Sequence, residues 1–179
     1  TPDKADPNGR ENDLARDLRF RPLLDRFLTA PQSFWGQPVN GHYPALADVA
    51  LDFLTVPGKV LADDNRYVSI SGSVVHFAPA RGLLWIDLNG AHHLIVFAAI
   101  AWTTQGVPTS DPSAEYTLWL VPVEPLSISG PSEHPPAALT HDIDRWDAEP
   151  LPGSGIVQNI TPDILVDPDG TPHEVAPLA

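Results

Sequence analysis

The chain has 179 residues, 42% hydrophobic and 18% charged, which is enough for one domain with a core and too little charge for a disordered chain. Asp and Glu number 23 against 10 Lys and Arg, and the net charge of −13 repels phosphate backbones and anionic lipid surfaces. There is no Cys, which removes disulfides, thiolate metal sites and cysteine nucleophiles.

Residues 1–12 are polar and rich in Pro, Asn and Asp, and they read as a disordered leader. The chain has no Met, even at position 1. Together these features suggest a mature exported chain, periplasmic or extracellular, whose signal peptide has been removed. Asn12 or Asp13 can cap a helix running to about Thr29, on a stripe of Leu14, Leu18, Leu23, Leu24, Phe27 and Leu28. Pro22 is expected to kink or split that helix near Phe20. A loop over 31–43 follows, with the pair Phe34-Trp35. A second helix is expected from Pro44, because Leu46, Val49, Ala50, Phe53 and Leu54 recur at helical spacing before Pro57-Gly58. Residues 59–65 read as a polar connection.

Strands are expected over 67–78, 83–88, 91–103 and 115–123. Pro79-Ala80-Arg81-Gly82 reads as the first turn and Asn89-Gly90 as a tight hairpin. The third strand is apolar on both faces, the pattern of a central strand covered on both sides. Its run over 94–102 is too short to cross a membrane, which takes about 20 residues. From Glu124 prolines come thickly, yet Ile143, Trp146, Ile156, Val157, Ile160, Ile164, Leu165 and Val166 are more apolar than a linker needs. Residues 124–179 therefore read as a long Pro-rich strap packed on the domain formed by 13–123. The strap holds a helical turn near 139–147 and short strands near 156–160 and 163–166. The predicted fold class is α+β: two N-terminal helices on an antiparallel meander of about four strands, plus that strap.

The Asn89-Gly90 turn, taken as a two-residue loop, places Asp87 opposite His92, Ile86 opposite His93 and Trp85 opposite Leu94. A four-residue loop at 79–82 then puts His76 on the same face, diagonal to Asp87. His76, Asp87 and His92 are thus the candidate site. As a relay, Asp87 would orient His92 and raise its basicity; as a metal site, two imidazoles and a carboxylate suit a divalent ion. The competing reading is a surface cross-strand pair. His93 falls on the other face, where a hydrogen-bonded core histidine is expected.

Asp167-Pro168-Asp169-Gly170 resembles part of a calcium loop, but Leu165 and Ala176 occupy ligand positions, so a hairpin between 164–166 and 173–175 is expected. His141, Asp142 and Asp144 read as a capped helix start. Asn159-Ile160-Thr161 is one glycosylation sequon, with Pro162 behind it. Trp85, Trp102, Tyr116 and Trp119 fall on three successive strands and read as core.

By order of elements alone, helices followed by an antiparallel meander are similar to cystatin-like and NTF2-like domains. No nucleophile elbow, phosphate-binding loop or dinucleotide fingerprint occurs. The first expectation is therefore an exported, non-enzymatic binding or interaction module with no cofactor, whose partner is a protein or small molecule and which neither binds nucleic acid nor inserts into a membrane. One alternative is a ligand-binding cone or NTF2-like enzyme with His76, Asp87 or His92 at the mouth of an apolar pocket. The other is a divalent-metal-binding protein using the same three residues.

Overall fold

The computed structural model describes residues 17–88, 94–102, 115–123, 136–151 and 155–175. The leader expected over 1–12 lies outside them. Three helices are α1 (Phe20–Phe27), α2 (Leu46–Phe53) and α3 (Ala137–Asp147). Seven strands are β1 (Val56–Asp63), β2 (Tyr67–Val74), β3 (Phe77–Asp87), β4 (Ile95–Trp102), β5 (Glu115–Pro122), β6 (Asn159–Val166) and β7 (Pro172–Val175). They form one sheet in sequence order, antiparallel throughout except that β5 and β6 run parallel. A parallel neighbour requires a crossover, and α3 lies within it. The protein is thus α+β on a mostly antiparallel sheet. Among the described residues no helix is long and apolar enough to cross a membrane.

Side chains alternate along each strand, so the sheet has two apolar faces. On one, Leu84, Phe97, Ala99 and Val121 pack against Phe20 and Leu24 of α1 and Val49, Ala50 and Phe53 of α2. On the other, Leu83, Trp85, Val96, Ile100, Leu118 and Leu120 pack against Leu139, Ile143 and Trp146 of α3. Strand β4 is buried from Ile95 to Ala101 because both of its faces are covered.

Helix α2 lies very close to the sheet because two glycines, paired in register as Gly72 and Gly82, sit beneath it. A Cβ on Gly72 would meet the Leu54 Cα at 2.7 Å, and one on Gly82 the Phe53 Cβ at 2.7 Å. Gly82 is therefore a mid-strand residue that admits a helix, and the turn expected at 79–82 is not present. The expected strand over 67–78 is instead two strands, β2 and the start of β3, joined at Val75-His76.

Three prolines inside strands coincide with breaks in strand register. Pro57 stands where β1 shifts against β2, Pro79 lies in β3 at the shift opposite Ser73 and Val74, and Pro162 marks the shift of β6 against β5. A proline cannot donate to the ladder, so a bulge absorbs it. In β1 the Ser71 hydroxyl fills the bulge, accepting from the Lys59 amide at 2.9 Å. Residues 59–65, expected as a connection, thus belong largely to a strand. Pro22 lies in the first turn of α1, where the missing N–H costs no helical bond.

Candidate functional site

Strand β3 separates two members of the predicted trio. His76 is exposed in the β2–β3 turn with φ +58°, before the first residue of β3, whereas Asp87 is its last. Asp87 is eleven residues along from His76, roughly 36 Å at strand rise, so His76 is not diagonal to Asp87. His92 and His93 lie outside the described residues. The ladder beside them pairs Trp85 with Val96 and Ile86 with Ile95, two residues from the expected register. Asp87 donates its amide to the Leu94 carbonyl at 2.9 Å. Its carboxylate is held by Arg66, with Nε and Nη2 each at 2.9 Å. The Arg66 guanidinium covers the Tyr67 ring at 4.9 Å, and Tyr67 stacks on Trp85 at 5.5 Å. Among the described residues no group of three His, Asp or Glu side chains is close enough to hold a metal ion.

The densest polar chemistry lies instead beneath α3. Asp142 is 3% exposed, and its Oδ2 accepts from Trp85 Nε1 at 2.9 Å. Its Oδ1 faces Arg145 Nη2 at 3.3 Å and His141 Nδ1 at 3.5 Å. Arg145 also reaches Ser69 on β2 and Asp63 on β1. At the C-terminal end of α3, the buried Arg81 donates from Nε to Gln158 Oε1 at 2.7 Å and from Nη1 to the Trp146 carbonyl at 3.0 Å. A cation there also meets the negative end of the helix dipole. The guanidinium lies over the Trp146 ring at 5.2 Å, and Gln158 Nε2 donates onward to the Pro79 carbonyl at 2.8 Å. Next to Trp146, burial pushes the Asp147 carboxyl up to about 7, against the pull of Arg81 and with help from Asp163 and Asp144.

On the opposite face the loop after α1 builds a groove. Gln32 organises it: Nε2 donates to the carbonyls of Pro44 at 2.6 Å and Trp35 at 3.1 Å, and Oε1 accepts from the amides of Phe34 and Trp35. Gly36, at φ +78°, lies so close to Pro44 that a Cβ would meet its Cγ at 2.6 Å. Asn40-Gly41, with φ of 52° and 77°, makes a tight turn that pairs Val39 with His42. The result is a groove of about 420 Å3 between the end of α1 and the start of α2, lined by Leu28, Pro31, Tyr43, Pro44, Leu46 and Asp25 among others. Tyr43 is 41% exposed and Val39 70%. Arg21 forms ion pairs with both Asp25 and Asp48. Asp48 in turn adds to the burial that raises the Asp52 carboxyl.

No family model, curated protein or solved structure matches this chain.

The α3 cluster left traces in the sequence. Asp142 stands on the stripe Leu139, Asp142, Ile143, Trp146, at i, i+3, i+4 and i+7, so an acid on the inward face was readable from spacing. His141, Asp142 and Asp144 are mid-helix, because α3 begins at Ala137, and do not form its start. Arg81 shares its strand parity with Leu83 and Trp85, but that becomes visible only once β3 is known to run through Pro79. The groove had one signal, the second Asn-Gly dipeptide at 40–41.

Proposed function

We propose that this chain is an exported, non-enzymatic binding module that seats a segment of a protein partner in the groove between α1 and α2. The observation that carries the reading is the groove itself. Its volume of about 420 Å3 and the Leu28, Pro31, Tyr43, Pro44 and Leu46 in its lining suit one or two apolar side chains. Charge selects the partner. The net charge of −13, with Asp25 the one charged residue in the groove's lining, favours a segment carrying Lys or Arg beside its apolar anchors. The same charge disfavours nucleic acid. In this reading residues 124–179 are the strap of the same domain, of which α3 supports the sheet from its far side and β6 and β7 extend its edge.

Tyr43 is the residue to test, since an exposed tyrosine at a groove supplies contact area at low entropic cost. A fluorescein-labelled peptide alternating Leu and Lys is expected to bind the wild-type chain, with affinity falling as salt rises. Tyr43→Ala is expected to weaken that binding about tenfold, and a Leu/Glu peptide is expected not to bind. Equal affinity for the two peptides, or no effect of Tyr43→Ala, would remove the reading.

A further inference from the structure

Among the described residues, the last turn of α3 and the strand beneath it hold three buried polar atoms without a partner: Nη2 of Arg81 on β3, Nε of Arg145 and, of the opposite kind, Oδ1 of Asp147. Leaving any of them unpaired is costly. Arg81 does not move freely toward Asp147, because Nε is committed to Gln158 and Nη1 to the Trp146 carbonyl, and its ring contact with Trp146 fixes the guanidinium plane. The seated helix thus spends the cation on the helix backbone and leaves the acid beside it without a partner for that oxygen.

We propose that the contact between the end of α3 and the sheet is a proton-operated latch: a protonated Asp147 lets the helix seat, and loss of that proton drives its last turn away from β3. The inference concerns the sheet face opposite the groove and does not depend on the binding reading. The charged groups facing Asp147 are known from each element packed there. Arg81 comes from β3 and Asp163 from β6, with Asp144 on α3 itself. Beyond the helix, Glu149 adds to the field at Arg81 and pairs with Lys59 of β1 at 3.5 Å. Two of the three groups acting directly on Asp147 are acids, so ionisation there is opposed by like charge as well as by burial. Arg81 is the one attractive group, and burial disfavours its charge too.

The latch works between about pH 4 and pH 7, the interval between the ordinary carboxyl value of 3.8 and the value of about 7 in the seated helix. Within it the seated state binds the extra proton, so seating weakens as pH rises and levels off above 7. Hydrogen–deuterium exchange of the full chain, corrected for intrinsic rates, reads this directly in the amides of α3. Their protection is expected to fall about tenfold or more between pH 5 and pH 8, while that of β4 changes less. Asp147→Asn, a neutral mimic of the protonated acid, is expected to abolish the change. Constant protection of α3 in the wild type, or the same fall in Asp147→Asn, would overturn the latch. The variant leaves every histidine in place, so a change that it abolishes belongs to the Asp147 carboxyl. Should the variant fail to fold, 13C titration of the Asp147 carboxyl in the wild type decides: a midpoint near 7 supports the latch, and one below about 5 overturns it.

Discussion

Trp85 shows how a single polar atom ties the two layers beneath α3 together. Its ring is fully buried, and its one N–H finds the carboxylate of Asp142 at 2.9 Å. Without the indole, Asp142 keeps Arg145 and His141 on Oδ1, but Oδ2 loses its donor inside the protein. Trp85→Phe is therefore expected to cost about 1–3 kcal/mol beyond the volume lost, read as a lower urea midpoint with an unchanged slope. Asp142→Asn in the same background recovers part of that loss if the carboxylate charge is what suffers. At this scale the sequence was half legible. The helical spacing exposes Asp142 as an inward-facing acid, whereas nothing local announces that its partner is a tryptophan 57 residues earlier. Asp87 was singled out for an imidazole neighbour, yet the partner that holds it is Arg66, from the β1–β2 turn. A guanidinium offers a bidentate match to a carboxylate that a histidine cannot.

At the level of elements, proline accounts for most of the difference between what the chain suggests and what it builds. Pro57 and Pro79 are punctuation in a linear reading, and each conceals a strand that continues past it through a bulge. Helix α2 and strand β4 were legible because neither contains a proline, α2 keeps a helical period and β4 is an unbroken apolar run. The β3–β4 register differs from a two-residue turn by two residues. A slip of two preserves the face of every side chain, so the expected faces of Trp85 and Leu84 hold while their partners change. Glycine carries the opposite lesson, since Gly82 looked like a turn and is an entry point for α2. Gly82→Ala forces a methyl against the Phe53 Cβ and backbone carbonyl, which cannot retreat without lifting the helix. The expected cost is about 1–3 kcal/mol, measured by thermal unfolding, with loss of near-ultraviolet signal from the Trp35, Phe53 and Phe97 cluster.

Across the whole molecule, the sheet divides two kinds of chemistry. One face carries a groove of mixed polar and apolar lining open to solvent, and the other a polar network sealed under α3. The sealed side adds a pH dependence to stability through Asp147. The folded state raises the Asp147 carboxyl from 3.8 to about 7, so the native protein binds more protons than the unfolded chain between those values. Stability is then expected to fall as pH rises from about 4 to 7, by at most on the order of 4 kcal/mol, and to show no further change from this group above 7. Urea midpoints for the wild type and Asp147→Asn should diverge across that window, with the variant the more stable at pH 8. The proposed binding groove is on the open side, and it tests the account most directly. Amide chemical shifts of 15N-labelled protein, followed during titration with the Leu/Lys peptide, are expected to move at residues 28–31 and 43–47 and to stay fixed along α3. Shifts confined to α3 or to β6 and β7, with the groove unmoved, would contradict it.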